Sequence, residues 1–239
     1  MTGKQHPPAT FGSHAIGFYE TLRAPRLGRL GVDVLFPYRD PPVRDAMAAF
    51  YRTFFNDTAK RTFIIGINPG RFGAGTTGIP FTDPVSLERQ CGIANPFPRR
   101  RELSAEFVES VIERLGGPRS FYRSFFITAV SPVGFTRNGT NYNYYDDPRL
   151  LRVLQPFIAD SFHTQLGFGA RRDLAIVLGK GRNFRFFERL NAEHGFFDRL
   201  VGVEHPRFIM QYRRPQVRRY LAKYESLLEE ATLAPVRTR

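Results

Sequence analysis

The segment from Arg61 to Phe81 constrains this chain more than any other part of its sequence. Residues 62–67 form a short apolar run rich in β-branched side chains, which predicts a buried strand. Pro69 has no backbone N–H to donate to a neighbouring strand, so the strand must end there. The loop that follows is rich in glycine, which lets its backbone approach a ligand closely. The segment therefore predicts a strand that delivers a polar amide, Asn68, to a binding site at the edge of an open α/β sheet.

Two phosphate-binding motifs are excluded by the same segment. Residues 73–78 have the glycine spacing of a dinucleotide-binding loop, but that loop needs its glycines directly after the strand, with a helix beginning on them. Here residues 68–72 intervene, and Pro80 and Pro84 interrupt any helix that would follow. The Gly-Lys-Ser or Gly-Lys-Thr run of a nucleotide hydrolase loop does not occur in the sequence.

Three more strands are predicted after the first one, with an amphipathic helix before each of them. The strands span residues 125–130, 174–178 and 200–203. The helices of the chain span residues 16–22, 42–56, 104–115 (with Ser104 as its N-cap), 150–166, 182–194 and 216–231. This alternation predicts the α/β class, with a central four-stranded parallel sheet between two layers of helices. The length of 239 residues fits one domain over residues 1–239, of which we expect 1–13 and 232–239 to be flexible.

Polar segments follow each of the predicted strands directly. The carboxyl ends of parallel strands open at one edge of the sheet, where ligands bind. Asn68 follows the first strand, a long polar-aromatic loop over 135–147 follows the second, Gly179 follows the third and His205 the fourth. Loops of this length are usually functional or disordered, and its tyrosines argue against disorder. We therefore expect these segments to converge on one rim.

Charge and cysteine content narrow the class of protein further. The formal net charge is +13 and the sequence pI is about 10.4, which favours a polyanionic partner such as nucleic acid over a merely basic protein. The single cysteine, Cys91, excludes an internal disulfide and a four-cysteine iron–sulfur cluster. No apolar run approaches the ~18 residues of a membrane span, and residues 1–6 lack the apolar part of a secretory signal. We expect an intracellular protein that uses neither a metal nor a cofactor.

Two motifs resemble those of a known enzyme family. The run Gly66-Ile67-Asn68-Pro69-Gly70, with the Phe72-Gly73 and Thr77-Gly78-Ile79-Pro80-Phe81 that follow it, resembles the first motif of the single-strand-selective monofunctional uracil-DNA glycosylases. These enzymes belong to the uracil-DNA glycosylase superfamily. Glu204-His205-Pro206-Arg207, after the last strand, resembles the family's second motif. The resemblance implies a monomeric DNA glycosylase that hydrolyses the N-glycosidic bond of uracil or a related base in base excision repair, with no lyase activity.

The resemblance also assigns roles to residues of the two motifs. It implies that Asn68 holds the attacking water and that His205 bonds the pyrimidine carbonyl next to the scissile nitrogen. Phe81 would stack under the flipped base, at a gain of ~1–3 kcal/mol. Ile67, Gly70 and Phe72 would complete the base pocket.

The chain departs from the family where the second strand ends. The family has an asparagine there that reads the uracil edge, and this chain has Thr128-Ala129. Asn141 and Asn143 in the adjacent loop are the amides that could replace it, and we favour Asn143. The preferred base therefore stays open among uracil, hydroxymethyluracil, xanthine and hypoxanthine.

A basic and aromatic segment follows His205 and is the expected DNA contact. In the family, the loop at this place wedges into the duplex. Arg207, Phe208 and Met210 are the expected wedge residues, and the expected phosphate contacts are Lys180, Arg213, Arg214, Arg218 and Arg219. The run at 99–101 is either a solvated turn or a further phosphate contact, and Arg218 and Arg219 could equally belong to a solvated helix face.

Two other functions remain open at this point. A nucleosidase would cut the same bond in a free nucleoside, although a basic surface would then have no purpose. A module that binds damaged or single-stranded DNA without chemistry is compatible with the loss of the strand-end asparagine.

Overall fold

The computed structural model describes residues 9–233 and contains the predicted alternation of strands and helices. The strands are β1 (Asp33–Leu35), β2 (Arg61–Gly66), β3 (Phe125–Ala129), β4 (Gly134–Arg137), β5 (Thr140–Tyr142), β6 (Ala170–Leu178) and β7 (Leu200–Val203). The α-helices are α1 (Phe11–Thr21), α2 (Pro41–Phe54), α3 (Ala74–Thr77), α4 (Pro84–Arg89), α5 (Leu103–Arg114), α6 (Pro118–Ser124), α7 (Pro148–Leu166), α8 (Arg182–His194), α9 (Pro206–Tyr212) and α10 (Val217–Leu233).

The central sheet has four strands in the order β3-β2-β6-β7, and all of its pairings are parallel. Ile64 of β2 is level with Ile127 of β3 and Ile176 of β6, and every residue of β2 is buried. A strand buried on both faces needs helices above and below it, which is why β2 is an apolar run instead of an alternating one. The predicted α/β fold with a four-stranded parallel sheet flanked by helices is confirmed.

A second, antiparallel sheet of three strands, in the order β1-β4-β5, was not predicted. Its hairpin occupies the first part of the segment expected to be a loop, 135–147. Asn138 and Gly139 both have positive φ, at 49° and 69°, as the tightest hairpin turns require. The Asn-Gly pair between two β-prone runs was therefore a readable signal, and the expectation of a continuous loop is wrong.

Several predicted boundaries also need correction. Phe11 begins α1 and is fully buried, with the Thr10 side chain capping the helix, so residues 11–13 are not a flexible arm. Residues 232–233 likewise belong to α10. The remainder of the two expected flexible ends, 1–8 and 234–239, lies outside the described residues. Ser104 is buried within α5 and does not cap it, because the helix begins one residue earlier.

A buried arginine fixes the amino end of β2. Arg61 is fully buried and forms two hydrogen bonds to Asp57, of 2.8 and 2.9 Å, and others to the carbonyls of Ala59 and Tyr122. Burying a guanidinium is tolerable only when its N–H groups are paired in this way. The central strand is therefore anchored at the end opposite to the one that carries Asn68.

Candidate active site

The ends of the parallel strands are tied together at one rim. The amide of Val130 donates to the carbonyl of Gly66 at 3.0 Å, and that of Ser131 donates to Ile67 at 3.1 Å. Gly179 donates to Val203 at 2.7 Å. The segments that follow β2, β3, β6 and β7 therefore leave the sheet side by side, as the sequence predicted.

The Asn68 amide is oriented by the end of the hairpin and by the segment that follows it. Its Oδ1 accepts from the backbone N–H of Tyr144 at 3.1 Å, and its Nδ2 donates to the carbonyl of Tyr142 at 3.3 Å. Gly134 of β4 lies against the Pro69 carbonyl so closely that a Cβ there would collide with it. The Nδ2 also donates to the Pro69 carbonyl at 3.4 Å, so one lone pair of Oδ1 remains for another ligand. Both sheets therefore contribute to the position of this side chain.

Phe81 covers the end of the central strand. Its φ is 53°, which is costly for a bulky residue and marks a position held by its surroundings. A Cβ at Gly66 would lie 2.8 Å from the Phe81 ring, so only glycine leaves room for the ring against the strand. The ring centroids of Phe81 and His205 are 5.7 Å apart. The structure thus brings the aromatic residue of the first motif to the histidine of the second.

His205 is a neutral hydrogen-bond donor in this structure. Its Nδ1 accepts from the backbone N–H of Arg207 at 3.1 Å, and in this way it caps α9. Enclosure of the ring by protein, with a further contribution from the positive charge of Arg207, lowers the pKa of His205 to about 4. An accepting Nδ1 assigns the proton to Nε2. The imidazole therefore offers a neutral Nε2–H near Phe81.

Glu102 is a site residue that the sequence did not reveal. Its Oε1 lies 2.9 Å from the position that a Cβ on Gly70 would take, and its Oε2 overlaps the corresponding position on Gly73. Burial raises the pKa of this carboxyl to about 7; the charge of Arg207 opposes the rise and that of Asp83 adds to it. The contact joins the start of α5 to the glycine-rich loop over residues 70–78 through tertiary packing. No local sequence pattern therefore predicts it.

The two candidate amides of the loop differ in their surroundings. Asn143 donates from both its backbone and its side chain to Asp146 Oδ2, at 2.9 and 3.1 Å. Asn141 accepts from the Arg71 N–H at 3.1 Å, and its Nδ2 lies 3.5 Å from the Cβ position of Gly70. Each amide thus has one hydrogen-bond partner, Asp146 for Asn143 and the Arg71 backbone for Asn141, and the choice of Asn143 as the base-reading amide stays a prediction.

Phe72 is in contact with two arginines, and its expected place in the base pocket stays a prediction. The guanidinium carbons of Arg71 and Arg100 lie 4.6 and 5.1 Å from the centroid of its ring. Neither arginine forms an ion pair within the described part of the chain. Two positive charges thus lie over one ring without an acidic partner among the described residues.

The segment after His205 is a helix, α9, instead of an open loop, and its two faces differ. Phe208 and Tyr212 are 40% and 60% exposed, with ring centroids 5.7 Å apart, and the Arg213 guanidinium lies 5.3 Å from the Phe208 ring. Arg207 is also exposed. Met210, in contrast, is buried on the core side of the helix, which corrects its expected role as a wedge residue.

Two expected phosphate contacts have acidic neighbours. Lys180 forms an ion pair with Glu204 at 3.2 Å, and Lys223 shares the same carboxylate. Arg214 lies 4.0 Å from Glu106 at the surface. Pairs this exposed are weak, so both cations can exchange their partner for a phosphate.

Neither a metal centre nor a membrane segment is found in residues 9–233. No three His, Cys, Asp or Glu side chains in this range are grouped so as to hold a metal ion. None of the helices in it is both long enough and apolar enough to cross a membrane.

The fold and this rim define a class of protein. The model of the uracil DNA glycosylase superfamily matches residues 53–229, and the chain belongs to this superfamily. It is thus a DNA glycosylase, a hydrolase of DNA repair, and DNA is its partner. Within the superfamily it is similar to wild-type SMUG2 of Pedobacter heparinus, whose crystal structure superposes with a TM-score of 0.91 at 36% sequence identity. That match covers 95% of this chain and 100% of the other, and no curated protein sequence matches.

Proposed function

We propose that this glycosylase hydrolyses the N-glycosidic bond of uracil, or of a related deaminated or oxidised base, and leaves the DNA strand intact. The observation that carries the proposal is the contact between Phe81 and a neutral His205, at the strand end that also carries Asn68. A flat apolar ring, a neutral donor and an amide are the groups that this reaction requires.

The base must leave the duplex before its bond to the sugar can be reached. The extruded base stacks on Phe81, and the Nε2–H of His205 donates to the pyrimidine carbonyl next to the scissile nitrogen. When the C1′–N bond breaks, its electron pair leaves with the base, and negative charge grows on that carbonyl oxygen. A donor aimed at this oxygen acts as an oxyanion hole. The low pKa of His205, about 4, makes it a neutral donor at neutral pH when the base enters the site.

Asn68 orients the water that completes the reaction. An amide is too weak a base to deprotonate water, but the sugar cation that remains after bond cleavage needs little activation of its nucleophile. The water oxygen bonds to C1′ and its proton passes to solvent. The bonds to Tyr142 and Tyr144 hold the Asn68 amide in one orientation, which supports this positioning role.

The surroundings of the rim support hydrolysis without strand cleavage on a basic DNA-binding surface. Strand cleavage would need an amine as nucleophile, and Lys180 beside the Gly179 turn is paired with the carboxylate of Glu204 at 3.2 Å. Phe208 and Arg207 on α9 are available to fill the space that the base leaves. Arg71, Arg100 and the exposed Arg213 are available to contact phosphates.

An excision assay tests this proposal. Oligonucleotides with one uracil, single-stranded or paired with guanine, should be cut after alkali treatment and not before it. Asn68→Ala and His205→Ala should each lower the single-turnover rate by at least ~100-fold. The matched controls are His14→Ala and Asn56→Ala, which alter exposed residues away from the rim. Strands that stay intact over a panel of uracil, hydroxymethyluracil, xanthine and hypoxanthine would refute the proposal, and so would cleavage of free deoxyuridine at the same rate.

A further inference from the structure

Asn183 is a buried polar residue that does not cap its own helix. It is the second residue of α8 and is 2% exposed, and the amino end of that helix has no side-chain cap. A buried amide is costly to the fold unless its donors and its acceptor are paired. The partners of Asn183 therefore indicate what this side chain does.

The Asn183 amide joins the ends of the two central strands. Its Nδ2 donates to the carbonyl of Leu178, the last residue of β6, at 2.9 Å. It also donates to the carbonyl of Gly66, the last residue of β2, at 3.4 Å. Carbonyl oxygens can only accept, so the NH₂ group of the amide must be the one that faces the strands. The acceptor oxygen, Oδ1, is left for another partner.

That partner is the hydroxyl of Tyr144. It donates to Asn183 Oδ1 at 2.8 Å, and the Tyr144 side chain is fully buried. Burial raises the pKa of this hydroxyl well above its ordinary value, so the group is a protonated donor at neutral pH. The Tyr144 ring also packs on Phe186 of α8, with ring centroids 5.1 Å apart. The strand ends thus fix the position of Tyr144 through Asn183.

The backbone of Tyr144 in turn holds Asn68. Its N–H donates to Asn68 Oδ1 at 3.1 Å. The hydrogen bonds form a closed circuit, because Asn68 lies two residues beyond Gly66, to which Asn183 donates directly. The backbone that orients the Asn68 amide is therefore anchored to the same strand that delivers it.

Asn183 also lies near the histidine of the second motif, but it is not bonded to it. A Cβ on Gly179 would lie 3.6 Å from the Cβ of Asn183 and 3.8 Å from the Cβ of His205. In the part of the chain that the structure describes, the Asn183 side chain has no hydrogen bond to His205. A role of Asn183 in the reaction is therefore expected to depend on Asn68 and not on His205.

We propose that Asn183 and Tyr144 are positioning residues for the hydrolysis. The Asn183 amide fixes the Tyr144 hydroxyl, and the Tyr144 backbone thereby holds the Asn68 amide in the orientation that aims the attacking water. Both side chains are buried, so they act through Asn68 and not by contact with DNA. This inference rests on the proposed function of Asn68.

Two variants test the pair by single-turnover excision of uracil. Asn183→Ala removes the amide and should lower the rate by about 10–100-fold, and Tyr144→Phe removes only the hydroxyl and should lower it by about 10-fold. The enzyme concentration that gives half of the maximal rate reports DNA binding. It should change by less than about twofold in both variants, because neither side chain contacts DNA.

Asn191→Ala is the matched control on the same helix. Asn191 bonds the backbone of Phe197 at 2.8 and 2.9 Å near the other end of α8, so its role is structural. This variant should lower the urea midpoint of unfolding, as Asn183→Ala does, and should leave the excision rate unchanged. A loss of rate in Asn191→Ala equal to that in Asn183→Ala would assign both losses to the stability of the fold.

A double-mutant cycle shows which group the pair acts through. Asn68→Ala combined with Asn183→Ala should be as slow as Asn68→Ala alone, within about twofold, because the orientation of an absent amide cannot matter. On the background of His205→Ala, the loss caused by Asn183→Ala should persist in full. Tyr144→Phe takes the place of Asn183→Ala in this cycle if the latter does not fold.

Undiminished rates in Asn183→Ala and Tyr144→Phe would overturn the inference, and so would losses that multiply with that of Asn68→Ala. A wild-type protein that excises no base would instead refute the proposed function, so the two failures are distinguishable.

Discussion

Acidification from about pH 7 to about pH 4 is expected to destabilise the protein through His205. The pKa of this histidine is 6.5 in the unfolded chain and about 4 in the folded protein. The unfolded state therefore binds a proton more readily between these two values, and stability falls as pH falls through this window. Above 6.5 both states are neutral at this site and its full contribution is present. The difference of 2.5 pKa units corresponds to about 3 kcal/mol of unfolding free energy.

The comparison with His205→Asn isolates this contribution. Asparagine retains an acceptor for the Arg207 N–H and can still cap α9, but it does not titrate. Urea unfolding at a series of pH values should show a wild-type curve that falls relative to the variant by up to about 3 kcal/mol toward pH 4. NMR titration of the imidazole C–H signals should show one resonance, absent in the variant, that stays neutral at pH 6. Parallel stability curves, or a midpoint near 6.5 for that resonance, would refute the neutral-donor mechanism.

Three further predictions concern the rim and its DNA surface. The raised pKa of Glu102 makes the stability of the wild type fall as pH rises from 4.5 to about 7. In urea unfolding, Glu102→Gln should therefore stabilise the protein by up to about 3 kcal/mol at pH 8 and should have no effect near pH 4.5. Gly66→Ala should cost about 1–3 kcal/mol and slow excision, because the new methyl displaces the Phe81 ring; Gly17→Ala, which has open space in α1, should do neither. DNA binding measured by fluorescence anisotropy gives the slope of the log association constant against the log salt concentration. Arg100→Ala should reduce the magnitude of this slope by about 1, and Arg52→Ala, at another exposed position, should leave it unchanged.

The central sheet was predictable because each of its strands carries its own signal. Residues 62–67 are apolar and β-branched, and Pro69 ends them, so the local sequence determines both the strand and its stop. The convergence of Asn68 and His205 on one rim follows from parallel topology alone. These parts of the prediction needed no knowledge of side-chain packing.

The parts that could not be predicted depend on contacts between distant segments. Nothing near Glu102 in the sequence distinguishes it from the other acidic residues of a helix start, since its environment comes from the glycine loop. The burial of Met210 and the exposure of Phe208 depend on how α9 packs against its neighbours. The bond from the Arg71 N–H to the Asn141 side chain joins residues 70 positions apart, which only the folded chain brings together.

The support of Asn68 by the hairpin has a consequence for how this enzyme can change. The small antiparallel sheet is in contact with the first motif at Gly134 and holds its amide through the backbone of Tyr142 and Tyr144. Insertions or deletions in the Asn138 turn would be tolerated by most hairpins, yet here we expect them to rotate the Asn68 amide, the group that we propose orients the attacking water. Turnover should consequently respond to the length of this surface turn.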